Sequence, residues 1–408
     1  MHHGLRHPWP AATTRLLALL AALALFIVAC GDTDFGGEAA EDPEDAVDEV
    51  AEGDPDDAGD PDDGDDQADE EGGDEIDPVE EGAELSDPPE IDCEVITEDL
   101  GEHQINFGIG LARDSPQGMS VEFFGDYLDQ CSDGQLSVEL FPDSQVGDDL
   151  EMMNGLRSGT LEMTFPSTSP AVSFVPELGV FDLPFLMPDV EAADRVLDSD
   201  VGQELLDEFD GSGMKALAWA ENGFRQMTNS QQPIESPDDI AGTDVRVMEN
   251  EIQVTIWEAL GANPTTMAFG EVFSALEQGV VDGQENPWVT NLTSNFWEVQ
   301  EYGSETRHVY TPFIIMIGEE YYEGLDPAYQ ELIDEAAEAT RDYQRTVARE
   351  MDEWAREEFE ARGSEVNVLD DEQLQTMQDA TADVYDQWAP ELGEDLVERV
   401  QDLAQQEQ

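Results

Sequence analysis

The sequence predicts an α/β fold in two lobes, and three observations carry that prediction. Strand-like and helix-like segments alternate from residue 104 onward. The 408 residues are about twice the usual length of one domain. One amphipathic helical pattern covers residues 327 to 362. At 1.5 Å per residue it extends about 54 Å, longer than a lobe of about 130 residues is wide, so it should touch both lobes.

Residues 1 to 29 have the parts of an export signal: Arg6 and Arg15, the apolar run Leu16 to Val28, then small Ala29. The run is shorter than the roughly 20 residues that span a bilayer. Ile27-Val28-Ala29-Cys30-Gly31 resembles a bacterial lipobox, in which Cys30 is acylated and becomes the mature N-terminus. Ordinary cleavage near Ala29 is the alternative. Residues 30 to 92 read as a disordered acidic tether, because residues 31 to 92 hold 30 acids and no base and are built from Asp, Glu, Gly, Pro and Ala. No window satisfies the calcium-loop pattern, so a solvated spacer is expected. Cys93 and Cys131 remain as a candidate disulfide in an oxidising compartment, or as two free buried thiols.

The alternation then runs as follows. Gln104 to Leu111 reads as a strand, Asp114-Ser115-Pro116 starts a helix to about Cys131, and Leu136 to Leu140 is the next strand. Helix 148–158 stops at Gly159, Leu161 to Phe165 is a third strand, helices fill 189–209, and Lys215 to Trp219 is a fourth strand. After Pro233 a second series begins, with a strand Val245 to Met248, helices 250–260 and 270–278, and a short strand Val280 to Asp282. Largely parallel sheets are expected. Tyr329, Leu332, Ile333, Ala336, Thr340, Tyr343, Val347, Met351 and Trp354 recur at steps of three and four along the long helix. Asp326-Pro327 and Gly363 mark its ends, and the looser pattern past Trp354 is a place for a kink. The expected lobes are 93–222 with 311–351, and 223–310 with 352–408.

Charge and inventory exclude several functions. With 99 acids against 15 Lys and Arg, the formal net charge is −84, which leaves nucleic acid or an anionic membrane surface without electrostatic attraction. From residue 93 onward 69 acids face 13 bases. Such a surface repels itself at low ionic strength, whereas molar salt shortens the Debye length to roughly 3 Å. A saline habitat is expected, and the single lysine, Lys215, points the same way. Beyond the leader only His103 and His308 remain, with no G-x-S-x-G elbow beside them. Lys215 precedes Ala216, so there is no P-loop, and Gly108-Ile109-Gly110 lacks the third glycine of a dinucleotide fingerprint. No Cys/His cluster has zinc spacing. Neither a cofactor, a metal nor an enzymatic activity is expected.

With so few bases, an arginine on an inward face is informative. In Asp244-Val245-Arg246-Val247-Met248 the valines take one face of a strand and Arg246 the other. Arg225 follows Glu221-Asn222-Gly223-Phe224, close behind the fourth strand. A guanidinium fork matches a carboxylate bidentately, so both are candidates for holding an acidic ligand. A structural ion pair with one of the many acids is the alternative.

Six segments together resemble a known family: Gly179-Val180-Phe181-Asp182-Leu183-Pro184-Phe185-Leu186, Asn222-Gly223-Phe224-Arg225, Val245-Arg246-Val247, Gly261-Ala262-Asn263-Pro264-Thr265, Met267-Ala268-Phe269-Gly270-Glu271-Val272 and Val281-Asp282-Gly283-Gln284-Glu285-Asn286-Pro287. In that order they resemble the solute-binding protein of a tripartite ATP-independent periplasmic (TRAP) transporter, DctP-type, over roughly residues 103 to 395. The resemblance implies a periplasmic-binding-protein-like fold of class II type. It also implies a receptor that closes on a small organic acid and hands it to membrane permease subunits driven by an ion gradient. By position it makes Arg246 the carboxylate clamp, Arg225 a second arginine for the same group, Asn286 an amide donor and Phe269 an aromatic packing surface. Glu221, Asn222 and Ser167 join these as candidate ligand contacts, and Trp288 as an apolar wall or a core residue. Ser167 and Pro170 stand where sialic-acid receptors carry glutamate and arginine, which disfavours that ligand. A dicarboxylate, a 2-oxo acid or an aromatic acid is expected instead, with uronates and sugar acids open. The rival readings are a lipid-anchored hydrolase for acidic sugars and a receptor that feeds a sensor.

Overall fold

Backbone hydrogen bonding sorts eleven strands into two mixed sheets in the computed structural model, which describes Pro78 and residues 82–406. The first sheet has the order β2-β1-β3-β10-β4, built from β1 (His103–Gly108), β2 (Leu136–Phe141), β3 (Met163–Thr164), β4 (Met214–Phe224) and β10 (Tyr310–Gly318). The second has the order β11-β9-β5-β8-β6-β7, from β5 (Gln226–Asn229), β6 (Asp244–Val247), β7 (Asn263–Thr266), β8 (Gly283–Asn286), β9 (Tyr302–Glu305) and β11 (Glu365–Val368). The expectation of largely parallel sheets needs correction, because each sheet holds one reversed strand. β10 runs antiparallel to both β3 and β4, and β5 antiparallel to both β8 and β9.

Those reversed strands are the crossovers. β4 passes into β5 through Arg225 alone, and β9 returns to β10 through residues 306–309. The two connections are tied together, since the Arg225 amide donates to the carbonyl of Val309 at 2.9 Å. Pro312, which cannot donate to a ladder, sits at a register shift of β10 against β4.

The helices that border the cleft or tie the lobes are α1 (Pro116–Cys131), α2 (Asp149–Ser158), α3 (Val190–Leu197), α4 (Asp200–Asp207), α5 (Glu251–Ala259), α6 (Val272–Glu277), α7 (Trp288–Thr293), α8 (Pro327–Ala361) and α9 (Glu394–Ala404). Six of them start where a side chain accepts from a first-turn amide: Ser115 caps α1, Asp148 and Glu151 form a capping box on α2, Asp189, Ser199 and Asn250 cap α3, α4 and α5, and Asp326 caps α8 ahead of Pro327. α8 is continuous for 35 residues. Its first half packs Tyr329, Leu332, Ile333, Ala336 and Tyr343 into a cluster with β1 and α1, and its second half packs Met351, Ala355 and Phe359 against α6 and α7. It therefore touches both lobes.

Three further expectations are corrected. The strand placed at Val280 to Asp282 lies at Gly283–Asn286, where an added Cβ on Gly283 would come within 2.4 Å of the Thr228 carbonyl. Residues 394–404, read with the second lobe, lie against α3 and α4 of the first, and the Arg195 guanidinium donates to the last carbonyls of α9, Leu403 and Ala404. The stretch read as tether is ordered over residues 83–92, where Leu85 and Ile91 pack on apolar clusters. Cys93 and Cys131 are joined in a disulfide that fixes this segment to the end of α1. The lipobox at Cys30 lies outside the described residues. Among the described residues no helix is long and apolar enough to cross a membrane.

Candidate functional site

Arg246 is placed by alternation on β6, where Val245 and Val247 are fully buried on one face and the arginine projects from the other into a cavity between the lobes. Its Nε and Nη2 donate to the Met267 carbonyl at 3.0 and 2.7 Å. That bond fixes the plane of the guanidinium. Nη1 is buried and has no partner, and no carboxylate among the described residues forms an ion pair with Arg246. Burial lowers its pKa to about 10, with Arg225 adding to the effect against the opposing pull of Glu285, Glu249 and Asp149. A buried cation without an anion is costly, so this side chain is built to receive one.

The cavity holds about 530 Å³ of space, part of it open to solvent. The first lobe contributes Gly110, Leu111, Asp148, Asp149, Ser167 and Phe313; the second contributes Arg246, Met248, Glu249, Phe269, Asn286 and Thr290. Asn222 lies at the crossover end of β4, next to Gly223, whose φ of +117° only glycine adopts without strain. Its amide donates to Ser167 Oγ at 3.4 Å and its carbonyl oxygen accepts from Thr290 Oγ1 at 3.4 Å, so it bridges the lobes. Four sequence candidates, Asn222, Ser167, Phe269 and Asn286, thus share the cavity with Arg246.

Arg225 does not line it. Fully buried at the crossover, it is held by Glu285: Nε and Nη2 donate to the two carboxylate oxygens, and Nη2 also donates to the Glu285 carbonyl at 2.6 Å and to Asn286 Oδ1 at 2.8 Å. His308 Nε2 lies 3.1 Å from the same carboxylate, and its Nδ1 is 2.8 Å from Thr306 Oγ1. Burial would raise the Glu285 pKa, but Arg225 and His308 hold it well below the usual carboxylate range. The expectation of a second carboxylate clamp is therefore corrected to a neutralised hinge pair, leaving only Arg225 Nη1 unpartnered. Asn286 is also partly committed, since its amide donates to Gln284 Oε1 at 2.6 Å and keeps one N–H uncommitted.

Glu221 and Trp288 also lie off the wall of this cavity. Glu221 is a buried residue of β4, its carboxylate 2.6 Å from Arg349 of α8, and Arg349 and Arg345 bind Asp194 of α3. Trp288 is a core residue whose ring is tilted against that of Phe359, with centroids 5.6 Å apart, over Gly303. Conversely, Asp149 was not singled out in the sequence. It begins α2, accepts from the Ser167 amide at 3.1 Å, and faces the cavity across from Arg246. Burial raises its pKa to about 7, and the neighbouring Asp148 adds to this. With Asp148 and Glu249, the cavity carries three acids against one arginine. Nothing in a chain with 99 acids marks one of them in advance.

Comparison with known proteins shows the family and the fold. The family model "Bacterial extracellular solute-binding protein, family 7" matches residues 107–391. A solute-binding protein of Verminephrobacter eiseniae is 36% identical over 72% of this chain and 88% of its own. The sugar acid binding protein of Advenella mimigardefordensis, solved in complex with galactonate, superposes with a TM-score of 0.74 at 38% identity, covering 75% of this chain and 99% of that one. A TRAP periplasmic solute binding protein from Sulfurospirillum deleyianum with bound succinate gives a TM-score of 0.72 at 32% identity, covering 74% and 99%.

Proposed function

Because this chain belongs to the bacterial extracellular solute-binding proteins of family 7, we propose that Arg246 holds the carboxylate of a small organic acid in the cleft. The receptor serves a TRAP transporter: the lobes capture the acid and deliver it to a membrane permease. The single observation that carries the assignment of Arg246 is its buried, unpartnered Nη1 on the cavity wall. Asn286 and Asn222 supply further polar contacts, and Phe269 closes the site with an apolar face.

The acids opposite Arg246 favour a particular kind of acid. Asp148, Asp149 and Glu249 would repel a second carboxylate at the far end of the ligand, whereas hydroxyl groups can donate to them. We therefore read the ligand as a monocarboxylate carrying hydroxyls, closer to galactonate than to succinate. The role is capture without chemical conversion. Export and lipid anchoring at Cys30 belong to the same proposal and rest on the lipobox sequence.

The experiment is calorimetry of D-galactonate, D-erythronate and succinate with the folded protein in high salt, repeated with Arg246→Ala. Binding of a hydroxy acid that disappears in the variant supports the reading. Equal binding by parent and variant overturns it, and a preference for succinate overturns the ligand class alone.

A further inference from the structure

Residues 83–93 cross from one lobe to the other on the outside of α8, N-terminal to the region that matches the family. At one end Leu85 packs on the apolar cluster of the second lobe, with Val272, Leu276, Trp288 and Met351 in that cluster. Next to it the amide and hydroxyl of Ser86 donate to the two carboxylate oxygens of Glu350 on α8, at 2.7 and 2.6 Å. At the other end Ile91 packs on the cluster of the first lobe, the Ile91 carbonyl accepts from Gln130, and Cys93 is bonded covalently to Cys131 at the end of α1. Between these anchors residues 83–92 form no helix or strand, so every attachment is made by side chains or to a side chain.

We propose that this segment is a clasp that biases the receptor toward the arrangement with the lobes together. The argument is mechanical. Separation of the lobes must turn the second lobe against α1, where the disulfide holds the clasp, so Leu85 must leave its apolar site or Ser86 must leave Glu350. Contacts available only in one arrangement shift the population toward it. The clasp also lies near the start of the described residues, so the chain before residue 83 joins it at its second-lobe end. Pull or crowding on that end would act on closure without touching the ligand cavity.

The test needs no ligand. Nitroxide labels attached through ketone-bearing unnatural residues at exposed positions 133 and 280 report the distance between lobes by pulsed electron resonance and leave the disulfide intact. Leu85→Ala combined with Glu350→Ala should broaden the distribution to longer distances and lower the short-distance fraction at least about threefold. Glu350→Ala alone removes an exposed side chain and should move the distribution the same way by less, which covers the case in which the double variant fails to fold. A folded variant whose distribution stays unchanged or shortens overturns the proposal.

Discussion

Arg225 and Arg246 lie close enough to influence each other's charge, yet only Arg225 has a carboxylate of its own. Glu285 neutralises the first inside the hinge, and the second is left with Nη1 facing the cleft. One arginine thus belongs to the frame, and the other is the one we propose for the ligand.

Arg246→Ala should lower affinity for the bound acid by about 2 to 5 kcal/mol, the cost of leaving a buried charge half paired. Its effect on the ligand-free protein should be the opposite of an ordinary core deletion. The variant removes an uncompensated buried charge, so its melting temperature is expected to match or exceed the parent's. Calorimetry and a thermal melt on the same sample read both outcomes.

Glu285→Gln should behave in the reverse sense. It leaves Arg225 buried without its anion, which costs about 3 to 5 kcal/mol of stability. Denaturant unfolding at constant salt measures this, and the loss should exceed that of any single substitution on the cavity wall.

Binding should depend on pH through Asp149. Its pKa is raised to about 7 by burial, with Asp148 adding to the effect, the Ser167 amide and Arg246 opposing it, and Glu249 adding again. A hydroxyl-bearing acid that donates to its carboxylate should bind more tightly from pH 6 to pH 8 as Asp149 ionises. Stability should move the other way. The folded state holds the proton more tightly than the unfolded chain, so Asp149 contributes a decline as pH rises from the ordinary carboxylate value toward about 7. Asp149→Asn should flatten both profiles, which titration calorimetry and melts across pH would record.

Salt should stabilise the protein. From residue 93 onward 69 acids face 13 bases, and screening between about 0.1 M and 2 M KCl shortens the reach of their repulsion to a few ångströms. The melting temperature should rise steadily over that interval. A flat profile would remove the argument for a saline habitat.

How much of this was legible depended on what each residue had to contrast with. Arg246 stood out because alternation with Val245 and Val247 fixes its face and bases are scarce. Glu285 and Asp149 did not, because each is one acid among many and only tertiary packing buries it. The α8 pattern and its caps were plain, since one apolar stripe serves both lobes. β8 was not. Gly283, Gln284, Glu285 and Asn286 are all buried, but their composition reads as a turn, so the strand was sought in the apolar residues just before it. Its polar groups are satisfied by Arg225, Thr228 and Asn291, partners that local pattern cannot reveal.

The single residue between β4 and β5, bonded through its amide to the returning connection at Val309, leaves almost no slack where the sheets exchange strands. With α8 as the other link between the lobes, any change in their relation has to be absorbed by very few backbone torsions. A neighbour that must tell a loaded copy from an empty one would then need to read little more than one angle.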